Sequence, residues 1–309
     1  IKKLKRLKSK KLSMKIFDCF MYFDEEIVLD LRLNMLDPYV DYFVIVESIF
    51  THKGDRRELK FNHEKFNKFK RKIIYLTYDD KPKDIEEIND GDSENEKSRK
   101  FILNAAYREN GQRNFINKGL DNAEENDLIL VSDVDEIPNL ENIDLKKVDR
   151  EIILFKQNMF YYKFNLKLPN LIWSGTKGCK KKCLRSPQWL RNIKDKKYPF
   201  YRIDTYFSEK KYINLRFINN GGWHFSNIKT ANEIEYKLKS YLHHREFDVN
   251  PMTTSEIENI IKNKQAIYDL TVDKTVNKIG NGNKLEKFPL IGLPKYIQNN
   301  LEKFKNWID

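Results

Sequence analysis

The sequence predicts an α/β fold, with a mostly parallel central sheet flanked by helices and followed by a C-terminal helical region. Three observations lead there. Apolar runs of strand length recur at KIFDCFMYF (15–23), YFVIVES (42–48), KIIYLTY (72–78) and LILVSD (128–133). Segments of helical period separate the first two and the last two, which is the grammar of parallel strands joined by crossovers. The runs are also continuous rather than alternating, as suits strands covered on both faces.

Element by element, Ile27, Leu31 and Met35 follow the first strand at helical spacing, with Asp24 placed to cap that helix and Pro38 to stop it. The stretch 79–97 is polar, acidic and aperiodic and reads as a mobile loop. A long helix is expected over 97–118, burying Phe101, Ala105, Phe115 and Ile116, and Pro138 is expected to start another after LILVSD. Further on, EIILFKQNMFYYKFNLKL (151–168) reads as aromatic-rich strands and WSGTKGCKKKCLRSPQWLRN (173–192) as a basic segment of loop character. RFINNGGWHFS (216–226) carries a strand onto a glycine turn and then His224. Helices are expected over 230–247, over 255–269 behind a Ser255/Glu258 capping pattern, and over 293–308 after Pro294. No internal repeat and no interdomain linker is visible, so a single domain over 14–309 is expected behind a basic arm at 1–13.

Composition narrows the function classes. With 309 residues, 40% of them hydrophobic and 13% aromatic, the chain can bury a core and is not a disordered one. It has no run of about 18 apolar residues of the kind that spans a bilayer as a helix. The net charge of +12 invites a nucleic-acid reading, but seven of the Lys and Arg fall in the first twelve residues, IKKLKRLKSKKL. The folded part then carries only about +5, so no nucleic-acid partner is expected. The arm itself reads either as a solvated tail or as a peripheral contact with an anionic membrane. Three cysteines, Cys19, Cys179 and Cys183, make no disulfide framework and fit a reducing, cytoplasmic setting. CKKKC (179–183) lacks the further His or Cys a metal site needs nearby.

The chemistry concentrates at SDVDEIP (132–138). Asp133, Asp135 and Glu136 leave the end of an apolar strand within four positions. Like charges so close repel and lose hydration near a core, so a cation should stand beside them. A divalent ion, Mn²⁺ or Mg²⁺, is the direct candidate, since such ions take one or two carboxylates plus substrate phosphates. In open sheets ligands bind at the carboxyl ends of the strands, where Asp133, Asp135, Glu47 and Ser48 all fall. Arg108 and Arg113, on the preceding helix, are candidate phosphate ligands, with an ordinary solvated helix face as the alternative. His224 is either a further metal ligand or a structural histidine.

KIFDCFMYFDEE with LDLRLNMLDPYVDYFVIVESIFTHKG, then SDVDEIP, then GGWHFS, together resemble the family-17 glycosyltransferases from Lys15 to the closing LPKYIQNN helix. The resemblance implies a GT-A fold, a UDP-sugar donor (N-acetylglucosamine as the sugar), a divalent metal and inversion at the anomeric centre, with a glycan as acceptor. It places a nucleotide-binding half at about 14–140 and an acceptor-side half at about 141–309. By the same resemblance Asp133 and Asp135 are the DxD residues for metal and nucleotide. Glu47 and Arg108 lie on the nucleotide side and His224 ligates the metal; Arg113 is a candidate for the nucleotide side from its place on the same helix, and Glu246 of HHREF, near an acid that relatives carry, is the candidate general base. Trp173, Tyr161, Tyr162 and Trp189 are candidates for an acceptor groove. Two other readings remain open on the residues alone: a metal-dependent nucleotidyltransferase, which usually adds a glycine-rich phosphate loop, and a non-catalytic glycan-binding protein of the same fold.

Overall fold

The computed structural model describes residues 14–242, 244–268 and 282–309. The basic arm at 1–13 lies outside the described residues. Four parallel strands form the first half of the sheet: β1 (Ile16–Tyr22), β2 (Tyr42–Ser48), β3 (Ile73–Tyr78) and β4 (Leu128–Asp133). Helix α1 (Glu26–Leu36) connects β1 to β2, and α2 (Glu94–Asn114) leads from β3 to β4. The strand order is β3-β2-β1-β4. The chain thus steps outward from β1 to β3 and then crosses back to the other side of β1, which makes β1/β4 a topological switch point. A crevice opens there, outside the carboxyl ends of the strands.

The second half breaks the expectation of a mostly parallel sheet. Short β5 (Glu136–Pro138) follows β4 directly, and β6 (Ile152–Tyr161) and β7 (Leu166–Lys180) form an antiparallel pair whose second strand runs antiparallel to β4. Helix α3 (Pro187–Asn192), β8 (Leu215–Ile218) and β9 (Gly222–Ser226) come next; β8 and β9 lie parallel to β6, and β9 antiparallel to β5. The main order ends β4-β7-β6-β9-β5, with β10 (Glu286–Lys287) on β7. The sheet is therefore mixed. It also curls, because β5 stands only two residues beyond β4 in the chain yet last in the order. Helices α4 (Ala231–Ser240), α5 (His244–Val249), α6 (Thr254–Lys262), α7 (Lys295–Gln298) and α8 (Leu301–Phe304) close the chain.

The strand alternation builds the layers. Phe17 and Cys19 of β1, with Ile129 and Val131 of β4, point to one face and pack with Ile116 and Leu120. Phe20, Leu128 and Leu130 point to the other, against Val28, Leu29 and Leu33 of α1 and Ile297 and Phe304 near the C-terminus. A third cluster joins Tyr161, Tyr162 and Leu166 to Ile234, Leu238, Phe247 and Ile257 of the late helices. Cys19 and Cys179 are buried in this core, and burial pushes the Cys179 thiol up to about 12. Among the described residues no helix is long and apolar enough to cross a membrane.

Several local expectations are corrected by side-chain chemistry. Asp24 does not cap α1; it pairs with Lys229, and Glu25 stands at the cap position instead. Helix α2 begins at Glu94 because Ser93 and Glu96 form a reciprocal capping box. The preceding stretch is fastened to it by Glu86, whose N–H donates to Asn104 Oδ1 at 2.9 Å and whose carbonyl accepts from Asn104 Nδ2 at 2.8 Å. Pro138 ends an edge strand opposite Gly222 rather than starting a helix. The segment read as a basic loop holds most of β7 and all of α3, whose start is set by Ser186 at the cap and Pro187 at the first position. Helix α6 is capped by Thr253 and Glu256, two positions before the expected pair. The C-terminal helix is split at Asn299–Asn300, where Asn300 Nδ2 donates to the Tyr296 carbonyl.

Candidate active site

The crevice at the β1/β4 switch point deepens into a cavity of about 350 Å³. The end of β1 contributes Tyr22, Phe23 and Glu25, and the end of β2 contributes Ser48, Phe50 and His52. Asp133 and Asp135 stand at the β4 side, and α2 adds Glu109 and Gln112. The far wall is Met159, Tyr161, Trp173, His224, Lys237, Tyr241 and Tyr268. Both halves of the chain thus meet here.

The cation demanded by the carboxylate cluster is partly built into the protein. Arg191 forks onto Glu136, with Nη1 2.6 Å from Oε2 and Nη2 3.0 Å from Oε1, and the same Nη2 lies 3.0 Å from Asp133 Oδ2. Arg113 Nη2 reaches Asp133 Oδ1 at 3.0 Å. Burial alone would raise the Asp133 carboxyl, but Arg191 and Arg113 outweigh it and hold it well below the usual carboxylate range. Glu136 is completely buried; it also accepts from Trp173 Nε1 at 2.7 Å and from its neighbour's backbone, Asp133 N–H, at 2.9 Å. It is an organiser of the turn, without free capacity for a ligand.

The turn itself is threaded by a second arginine. Arg32 of α1 is fully buried and forks onto Asp18 of β1 at 2.6 and 2.8 Å. Its Nη1 donates to the carbonyls of Asp133, Val134 and Glu136 at 2.9–3.1 Å. Those three carbonyls face one guanidinium, so the Asp133 and Asp135 side chains are left to point outward.

Asp135 is answered from the second half of the chain. His224 sits directly across from Glu136 in the β5/β9 pairing, and its Nε2 lies 3.5 Å from Asp135 Oδ1. Burial opposes the charge of each, yet their mutual attraction prevails: the His224 pKa is raised and that of Asp135 lowered. The approach depends on Gly222, whose φ is +129° and where a Cβ would meet the Ile137 carbonyl at 2.1 Å. His224 is also tilted against the Trp173 ring, centroids 5.2 Å apart. Lys237 lines the same wall. Burial disfavours its charge, but Asp135, Glu25 and Asp24 more than compensate, raising its pKa.

The other residues named from sequence are placed as follows. Glu47 is buried and fully engaged, accepting from Arg57, from the backbone of Lys60 and Phe61, and from Tyr75 at 2.6–3.0 Å. It reaches the cavity only through Arg57, which lines it. Arg108 lies outside the lining and holds the turn at His52 and Lys53 through their carbonyls. Glu246 on α5 does not line the cavity either; its charge acts on Tyr241 and Tyr268, which do. Trp173 and Tyr161 face the cavity, whereas Tyr162 and Trp189 pack elsewhere. Sequence reasoning missed Arg191, Arg32 and Lys237. The Ser186–Pro187 start of α3 was a visible signal for the first of these; a buried arginine on α1 gives none.

The donor set can be tested for a divalent ion. Asp135 Oδ1 and His224 Nε2, 3.5 Å apart, are close to the spacing of adjacent ligands in an octahedral shell, about 3 Å. Among the described residues no group of three or more His, Cys, Asp or Glu converges to hold an ion unaided. The pair therefore fits an ion that brings its remaining ligands, such as diphosphate oxygens and water.

The cavity thus combines paired carboxylates at a switch point, the protein's own cations beside them, and a far wall that includes Tyr161, Trp173, Tyr241 and Tyr268. The chain belongs to Glycosyltransferase family 17, whose model matches residues 2–308. It is similar to the proteins named beta-1,4-mannosyl-glycoprotein 4-beta-N-acetylglucosaminyltransferase of Homo sapiens, Rattus norvegicus and Mus musculus. Each is 26% identical in an alignment of 228 positions that covers 69% of this chain. The chain spans 40% of the length of these relatives.

Proposed function

We propose that the protein is a metal-dependent, inverting glycosyltransferase that moves a sugar, N-acetylglucosamine, from a UDP-sugar to a hydroxyl of a glycan acceptor. The observation that carries this reading is the Asp135–His224 pair held across the cavity beside Asp133, with Lys237 on the same wall. The named relatives support the choice of sugar and of a mannose-bearing acceptor.

In this reading Asp135 and His224 hold Mn²⁺ or Mg²⁺. The ion supplies charge stabilisation for the departing diphosphate. Lys237 and Arg57 bring further positive charge to the same lining. Asp133, fixed between Arg113 and Arg191, is oriented toward the nucleotide. Ser48, Phe50, His52 and Gln112 form the nucleotide end of the cavity, and Trp173 and Tyr241 offer ring faces to the acceptor. The acceptor proton must pass to a carboxylate that lines the cavity, which favours Glu25 over Glu246. Glu25 Oε2 accepts the Phe23 and Asp24 N–H groups at 3.2 and 3.1 Å, leaving Oε1 for substrate, whereas Glu109 and Asp133 are tied to arginines.

Calorimetric titration of UDP into wild type and Asp135→Asn in the presence of Mn²⁺ tests this assignment. The variant is expected to bind at least about tenfold more weakly while remaining folded at the assay temperature. Wild-type affinity in Asp135→Asn would remove the metal role.

A further inference from the structure

Between α3 and β8 the chain exposes side chains that are unusual for a loop facing water. Phe200, Tyr201, Ile203, Tyr206 and Phe207 fall in one short stretch, and each is between 69 and 86% exposed. Single exposed apolar residues need no explanation, but a contiguous group marks an interaction surface. The loop is also well anchored. Lys177 Nζ donates to the carbonyls of Arg191 and Ile193 at 2.5 and 2.6 Å, and Lys194 N–H to the Lys210 carbonyl at 2.7 Å. At its tip a turn over Ile203–Thr205 is braced by Arg202, which forks onto Asp204 at 2.7 and 2.9 Å. The rings are thus displayed on a built projection.

The charge around them is one-sided. Lys194, Lys196, Lys197, Arg202, Lys210 and Lys211 stand against Asp195, Asp204 and Glu209. Asp195 pairs with Lys156, and Asp204 takes up Arg202 and Lys211, which leaves Lys194, Lys196, Lys197 and Lys210 in excess over Glu209. Lys196 and Lys197 lie over the rings of Tyr198 and Phe217. Aromatic rings that seat at headgroup depth, surrounded by lysines that reach lipid phosphates, are the chemistry of an anionic bilayer surface. A second copy of the same loop would oppose cations to cations, which argues against self-association.

We propose that residues 198–207 form a membrane-docking loop that seats the protein on an anionic lipid surface, independently of the basic arm. The loop springs from the helix that carries Arg191, and Phe200 is nine residues further on. An extended span of nine residues reaches about 30 Å, so docking holds Arg191, the residue that grips Asp133, within about that distance of the seated rings.

Co-sedimentation of the full chain with vesicles of phosphatidylcholine, and of phosphatidylcholine mixed with phosphatidylglycerol, tests the proposal at low and high salt. Wild type is expected to prefer the anionic vesicles and to retain part of that binding at high salt, because ring insertion is not screened. The triple variant Phe200→Ser, Tyr201→Ser, Phe207→Ser is expected to bind about tenfold more weakly at both salt levels, with melting temperature and UDP affinity unchanged. Wild-type vesicle binding in the triple variant would overturn the proposal and assign the contact to residues 1–12 or another surface. Absence of binding by the wild type would overturn it as well. So would a wild-type dimer in light scattering that the triple variant dissolves, since the rings would then face a second copy.

Discussion

Arg191, Arg113 and Arg32 answer at the scale of single residues the question that three clustered carboxylates raise. Two of the carboxylates are balanced by guanidinium groups of the protein, and the third, Asp135, by His224 and Lys237 at the cavity wall. Arg191 bridges Asp133 and Glu136, so truncating it strands buried charge rather than removing a surface contact. Arg191→Met is expected to cost about 3–5 kcal/mol in urea denaturation. Arg191→Lys should recover only part of this, because an ammonium cannot fork onto two carboxylates. A loss of under about 1 kcal/mol for Arg191→Met would mean that the network contributes little. Lys237 makes no close ion pair among the described residues, so Lys237→Met should keep the fold and cost less than Arg191→Met. It should weaken binding of inorganic pyrophosphate about tenfold in the same calorimetric assay; unchanged binding would show that its charge does not reach the ligand.

At the scale of elements, the site depends on α3 being fastened to β7. Lys177 of β7 does this by donating to the Arg191 and Ile193 carbonyls from a buried position. Burial, with Arg191 adding to it, lowers its pKa to about 8. Below that value the ammonium is charged in both folded and unfolded chains. Above it the folded chain releases a proton that the unfolded chain keeps until its ordinary lysine value. The unfolded state then binds more protons, so stability contributed by this site rises with pH, by up to about 1.4 kcal/mol per unit between about 8 and 10. Urea midpoints across that window should rise in wild type relative to Lys177→Met. Parallel curves for the two proteins would refute the titration.

At the scale of the whole molecule, one curled sheet carries both ends of the cavity, and the described fold begins at Met14 with the basic arm before it. Lys15 N–H already donates to Asp127 at 2.8 Å, so the arm precedes residues tied into the central strands β1 and β4. Deleting residues 1–12 is expected to change stability by less than about 0.5 kcal/mol and to leave transfer to a soluble acceptor unchanged. A deletion that fails to fold would show that the arm completes the domain.

The sequence by itself determined the parallel half of the fold and the carboxylate pair. YFVIVES and LILVSD are buried on both faces, so their continuous apolar runs announce strands without help from neighbours, and Asp133 and Asp135 must leave at a strand end. Residues 173–180, the part of β7 inside the segment read as a loop, were not legible in the same way. Lysines and glycines there become a strand only because a neighbour accepts them, as where Gly178 leaves room for Leu130, which a Cβ would meet at 2.6 Å. Tertiary structure alone decided that Arg191 and Lys237 face the carboxylates and that Arg32 holds the backbone of their turn, because all three lie far along the chain from it on separate helices. Their guanidinium and ammonium groups are brought in by sheet curl and helix docking, and local periodicity carries no record of such distant pairings. The same reason explains Glu47 and Glu246: both are carboxylates at plausible chain positions, yet neither lines the cavity, which the packing around each decides.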